Sequence, residues 1–347
     1  MDIGVGLDQS LGLSFAQQRE IVRRAAQLRY KSAWTPAGLA QDAFHICAQW
    51  NSATQDVVPG GIETGIAVVP VSLWSAPVLA ATAGTVGELT NGRFILGIGA
   101  GASFYAQYQE SFGLPSVLPL ALMRDYTVTL HDLLAGQRVD YNGAAVKLHG
   151  VTLGFHPPRV PIYLGALGPR MLRLAARNAD GVVLNWCTPD QIAWSRTEIA
   201  EGAERARRDP AEVLLAEYIR VCVDEDREVA RRAFTRALLG YALARPGTSK
   251  ELGYRAHFTR MGFDEALSKL EARRDHGASE TELVDEFPPD LALKVGYYGL
   301  AAGAAEAFRR LAAGLDLAIV RIVAPRSSPD AVLATIQACR PELEQSA

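Results

Sequence analysis

Residues 161–185 read Pro161-Ile-Tyr-Leu-Gly-Ala-Leu-Gly-Pro-Arg-Met-Leu-Arg-Leu-Ala-Ala-Arg-Asn-Ala-Asp-Gly-Val-Val-Leu-Asn185. The apolar run at 162–164 fits a strand buried on both faces, as in a parallel sheet. Gly165 breaks it, and Gly168-Pro169 opens a helix, with the proline near the first turn where its missing N–H costs least. The helix, 170–178, stops before Asp180-Gly181, and a second apolar strand at 182–184 follows at once. Strand, glycine turn, helix and strand make a βαβ unit. The backbone N–H groups of Ala166, Leu167 and Gly168 stand at the helix N-terminus, a position suited to an anion such as a phosphate; a tight turn with no ligand reads equally well.

The same alternation extends in both directions. Strand patterns at 3–7, 32–35, 64–69 and 93–98 alternate with helix patterns at 15–28, 42–54 and 77–89, the first helix with Ser14 as a plausible N-cap. A longer interruption follows the glycines at 97–101, then a helix to Leu134 and two short strand-like pieces at 139–141 and 145–148. Asn142-Gly143 joins those pieces as a hairpin signal. Beyond residue 185 come a helix at 192–207, a strand at 213–223, a helix at 226–243, a strand at 317–323 and a helix at 329–338. About eight strands separated by helices is the count of a (β/α)8 TIM barrel, here a single domain over residues 1–347. A doubly wound open sheet remains the alternative, because the sequence does not show closure. The polar segment 247–295, with Arg273-Arg-Asp-His276 and Pro288-Pro289, reads as a helical or irregular insertion before the last strand, either a lid over the barrel mouth or a solvated decoration.

The composition suits a cored protein, with 49% hydrophobic and 21% charged residues among 347. Thirty-five Lys and Arg against 38 Asp and Glu give a net charge of −3, which offers nothing to nucleic acid or an anionic membrane surface. No window supplies the roughly 20 apolar residues of a membrane span, and the N-terminus lacks a signal pattern, so a soluble cytoplasmic protein is expected. Cys47, Cys187, Cys222 and Cys339 are far apart and read as buried thiols. No His-Glu-x-x-His spacing occurs, and no metal site is expected.

Gly97-Ile-Gly-Ala-Gly101 nearly fits a dinucleotide fingerprint. A Rossmann site needs a helix at once and an acid about 20 residues on. Aromatic, irregular sequence and Pro115 and Pro119 follow instead. Gly99 and Gly101 read better as the place where a flat ring approaches the backbone at a strand's carboxyl end.

The stretches Gly92-Arg-Phe-Ile-Leu-Gly-Ile-Gly-Ala-Gly101 and 162–181, together with Asp42, Trp74-Ser-Ala-Pro77 and 304–323, resemble the bacterial luciferase-like superfamily, and within it the branch using the deazaflavin coenzyme F420. The insertion matches poorly. The resemblance implies a (β/α)8 barrel, commonly a homodimer, binding one flavin or deazaflavin at the strands' carboxyl ends. It assigns the cofactor phosphate to the backbone of Ala166, Leu167 and Gly168, the back of the ring to Val69, Pro70 and Val71, and the ring's edge to Gly99 and Gly101. The chain also departs from the branch. Its sugar-phosphate and alcohol dehydrogenases carry an Asp-His pair where this chain has Trp34-Thr-Pro-Ala-Gly38, and the former a glutamate where it has Ala102-Ser103. Alcohol oxidation needs a base, so the expected reaction is hydride transfer from F420 to an activated C=C or C=N bond, with Tyr105 as candidate proton donor. The alternatives are an FMN-dependent two-component monooxygenase, for which the insertion would shield the ring from water, and a non-catalytic ligand-binding barrel. Tyr108, the Asp42/His45 pair and Arg170/Arg173 are further residues to locate.

Overall fold

A computed structural model describes residues 1–101, 103 and 105–341. Its strands are β1 (Asp2–Gly6), β2 (Ser32–Thr35), β3 (Glu63–Pro70), β4 (Phe94–Gly99), β5 (Val139–Asn142), β6 (Lys147–Val151), β7 (Ile162–Gly165), β8 (Gly181–Asn185), β9 (Leu214–Val223), β10 (Gly296–Gly299) and β11 (Leu317–Ile322). Among them β1, β2, β3, β4, β7, β8, β9 and β11 pair in that order, and β11 returns to β1. Every one of these pairings is parallel. The sheet is therefore a closed eight-stranded barrel, and the open-sheet alternative falls. The antiparallel hairpin β5–β6 lies outside the ring.

Period-two alternation divides the strand side chains into two populations. Ile66, Leu96, Ile98, Leu164, Val182, Leu184, Ile219 and Val320 join the helices in one shell. Trp34, Ala67, Ile95, Tyr163, Val183, Ala216, Tyr218 and Ile319 fill the barrel interior. Large interior rings require small neighbours: a Cβ on Gly65 would stand 2.4 Å from the Trp34 ring.

Two elements are missing from the sequence reading, a short helix and β10, and the insertion takes the helical of the two forms it left open. The stretch read as irregular contains a short helix, Ala106–Phe112, which stops at Gly113 in the left-handed region, φ 60°. The insertion is helical, with helices Gly253–Arg260, Asp264–Asp275, Glu280–Glu286 and Pro289–Ala292. Despite its polar sequence it has a core of its own, in which Phe258, Phe263, Leu267, Val284 and Phe287 pack with Trp186, Phe234 and Leu238 from the barrel side. It leads into β10, which extends the sheet along β9 at Arg220–Val223, beyond the stretch of β9 that β8 covers. The four cysteines are free and buried. No helix among the described residues is long and apolar enough to cross a membrane.

Candidate active site

The site begins with the turn after β7. Gly168 is the N-cap of helix Pro169–Asn178, in extended conformation and without a side-chain cap. The Ala166 N–H donates to the Val183 carbonyl at 3.3 Å. The N–H groups of Leu167 and Gly168 have no acceptor among the described residues, and nothing stands within 4 Å of a Cβ built on Gly168. Above the turn, Arg260 of the insertion donates to the Leu167 carbonyl at 2.8 Å and lies 3.3 Å from His257 Nδ1. Among the described residues no carboxylate pairs with Arg260, and burial lowers its pKa. Two open amides, a helix N-terminus and an uncompensated cation are the groups with which an anion would be held.

Across the mouth, β3 bulges between Ile66 and Val69, with a cis peptide at Ala67–Val68. Val69 and Val71 are wholly buried in the shell toward the helices, and Pro70 is partly buried. The side chain turned toward the mouth is Val68. A Cβ on Gly99 would lie 2.6 Å from Val68 Cγ2 and one on Gly165 3.2 Å from Val68 Cγ1. A Cβ on Gly97 would meet the Ile66 carbonyl oxygen at 2.1 Å, and one on Gly101 (φ 59°) the Pro70 ring at 2.9 Å. The glycines of β4 thus make room for the bulged strand first, and Val68 stands partly buried over Gly99 and Gly165.

Tyr105 is the N-cap of helix Ala106–Phe112, partly exposed, with the Arg245 guanidinium 5.7 Å from its ring centroid. Tyr108 packs its ring 4.5 Å from Phe112. Asp42 caps its helix by accepting from the His45 N–H, and the His45 ring sits 2.8 Å from the same oxygen with its side chain 89% exposed, so this pair is a helix cap. Arg170 is exposed, and Arg173 pairs with Glu198 and Glu201 of the next helix. Among the described residues no three His, Cys, Asp or Glu side chains gather as a metal would need.

A polar group fills the interior opposite Val68. Arg220 and Arg321 are register partners on β9 and β11. Arg321 is ion-paired with Asp8, and its guanidinium lies 5.0 Å from the Tyr218 ring centroid. Arg220 donates to the Asn185 side-chain carbonyl and, at 3.4 Å, to the Tyr218 carbonyl, with its guanidinium 3.9 Å from the Trp186 ring centroid. Burial lowers the Arg220 pKa. Asn185 in turn donates to Tyr254 of the insertion at 2.6 Å. Trp186 holds φ at 57°, a strained conformation for a bulky residue, and its carbonyl bonds His257 at 2.9 Å. Just below, Glu217 accepts from the Cys187 N–H at 2.7 Å; burial pushes its carboxyl up to about 8 and the His257 imidazole down to about 4.

A parallel (β/α)8 barrel with a bulged third strand and an open helix N-terminus after its fifth coincides with a match of residues 2–297 to the family described as luciferase-like monooxygenase. The chain belongs to that family. It is 34% identical over 213 residues to a 5,10-methylenetetrahydromethanopterin reductase of Archaeoglobus fulgidus, covering 61% of this chain and 63% of that one. The chain thus spans less than two thirds of that relative's length. A coenzyme F420-dependent tetrahydromethanopterin reductase from Methanopyrus kandleri has a similar structure, with a TM-score of 0.77 at 20% identity over 97% of both chains. An F420-dependent secondary alcohol dehydrogenase, solved with an F420-acetone adduct, has a TM-score of 0.73 at 17% identity over 98% of this chain and 99% of that one.

Within this luciferase-like barrel the departures also have positions. Trp34 is buried in the interior, donating to Ser32 Oγ at 2.8 Å, and no acid or histidine replaces it through Gly38. Ala102 lies outside the described residues, as does Phe104, while Ser103 is buried and donates to the Ala100 carbonyl at 2.6 Å. The sequence reading missed Arg220, Arg321, Asp8, Val68 and Arg260. A signal existed for the first two: each is a charge inside a largely apolar strand, Arg321 in β11 and Arg220 with Glu217 in β9, where an unpaired side chain would be costly. Nothing local marks Val68 or Arg260, whose positions depend on a bulge and on a distant helix.

Proposed function

We propose that this luciferase-like protein is a coenzyme F420-dependent oxidoreductase that reduces an activated C=C or C=N bond of a small organic substrate. The observation that carries the reading is the turn at Leu167–Gly168, with two open amides under Arg260. The names of the relatives favour deazaflavin over FMN. In this reading Leu167, Gly168 and Arg260 hold the cofactor phosphate, and Ala166 fixes the turn to β8. Val68, with Pro70 and Gly101 behind it, backs the ring, and Gly99 borders its edge. When bound, a deazaflavin supplies hydride-transfer chemistry at its carbon 5.

The proton balance supports reduction. Asp8 is paired with Arg321, and Glu217, with one oxygen taken by the Cys187 N–H, is held protonated up to about pH 8 by burial, so neither is a ready base for alcohol oxidation. Returning a proton to a reduced double bond asks less, and Tyr105 is the donor we assign. The reading includes a cytoplasmic homodimer, in which a second copy would cover the exposed Val78 and Leu118 at the starts of two neighbouring helices.

Paired titrations of the apo-protein with F420 and with FMN test the reading. Micromolar F420 binding with much weaker FMN binding is expected. Tight FMN binding would replace it with an oxygen-using monooxygenase, and binding of neither would leave a non-catalytic barrel.

A further inference from the structure

We propose that Arg220 and Arg321 form a site for a carboxylate on the substrate, which makes the substrate an anionic unsaturated acid. The inference deepens the oxidoreductase reading and rests on it.

The two arginines point into the same interior because they are register partners on adjacent strands, each alternating with shell residues. Both are at least 95% buried. Two buried cations face one ion-paired carboxylate, Asp8, which pairs with Arg321; Glu217 also feels Arg220 but forms no ion pair with it and is held protonated up to about pH 8 by burial. Arg220 has only neutral partners: the Asn185 and Tyr218 carbonyls and the faces of Trp186 and Tyr241. Buried charge without a counter-ion is costly, and proteins retain it where a ligand completes the pair. Four polar atoms of this group lack partners: Arg321 Nη1, the Tyr218 hydroxyl, Trp186 Nε1 and Glu217 Oε2, of which the first three are donors. Arg321 Nη1 and the Tyr218 hydroxyl are both buried and make no hydrogen bond. An anion seated there would accept from both.

The geometry favours a carboxylate over a phosphate. One charge is uncompensated, which a monoanion neutralises and a dianion overshoots. Guanidinium forks suit a planar, bidentate acceptor, and aromatic rings flank the site on three sides, at Trp186, Tyr218 and Tyr241. Tyr241, 40% exposed, and partly buried Tyr254 give it an edge toward solvent. The site faces Val68 across the mouth, so an anchored acid would place its double bond over a ring held there.

The test is calorimetric titration of the protein loaded with oxidised F420, using cinnamate and its neutral isostere cinnamamide as probes. Wild type is expected to bind cinnamate at least about tenfold more tightly, and Arg220→Met to bring the two affinities within about twofold. Arg220→Lys, which keeps the charge but loses the fork, is expected to fall between. Equal affinities in wild type, no measurable binding of either probe, or a preference unchanged in a folded Arg220→Met protein would each overturn the site. The wild-type comparison decides even if the variants fail to fold. Repeating it on apo-protein separates the two claims: preference for cinnamate without F420 binding removes the cofactor reading and leaves the arginine site standing, while F420 binding without preference does the reverse.

Discussion

Glu217 shows how far a single residue can govern behaviour. Its carboxyl is pushed up to about 8 by burial, so between about pH 4.5 and 8 it is neutral in the fold and ionised in the unfolded chain. Unfolding then releases a proton, and stability falls as pH rises through that window. Glu217→Gln removes the term, and denaturant melts at pH 5 and pH 8 should show the variant gaining on wild type by about 2 kcal/mol at the higher pH. Tyr105→Phe tests the proton donor: turnover with F420 should drop about a hundredfold with F420 affinity unchanged. Gly97→Ala places a methyl against a backbone oxygen 2.1 Å away and should cost about 3 kcal/mol, seen as a lower midpoint in urea. The sequence marked these glycines as special but did not show what their space also admits within the fold. The bulged strand takes it, through the Ile66 carbonyl at Gly97, Val68 at Gly99 and Pro70 at Gly101, because a bulge shifts the alternation of β3 by one residue and no local pattern announces a bulge.

At the scale of elements, the βαβ unit at 161–185 was legible because glycine, proline and apolar runs all agree on its boundaries. Helix Ala106–Phe112 and β10 were not, since seven and four residues carry too little periodicity to stand out. The proposed anion cradle was half legible. Its amides follow from the helix start, whereas its cation comes from helix Gly253–Arg260, about 90 residues later in the chain. Arg260→Met should weaken F420 binding about tenfold while changing the thermal midpoint of the apo-protein little, because the hydrogen bonds lost, to the Leu167 and Ala256 carbonyls and His257 Nδ1, are exposed or only partly buried. Gly168→Ala is the complementary change. Nothing stands near the added methyl in the apo fold, so any loss in F420 affinity reports how closely a phosphate approaches that backbone.

For the whole molecule, the count of strands was legible and the closure was not, since closure lies in the pairing of β11 with β1, nearly the full chain apart. The insertion was legible as helical or irregular, but its charge hid its core. Many of its arginines and acids pair on the surface, as Arg273 does with Glu286, and Arg255 and Glu271 pair in the interior, while Phe258, Phe263 and Phe287 face inward. Phe263→Ala should cost about 3–5 kcal/mol locally, and limited proteolysis should cut within 247–295 before the barrel strands. Trp186 ties that region to the rest. It belongs to the insertion's core, yet it follows β8 directly, lies against Arg220 and offers its carbonyl to His257. Exchange of parts between related barrels is constrained accordingly. A graft of residues 247–295 alone would set a foreign roof on this tryptophan, so a working chimera has to carry position 186 along with the segment it shelters.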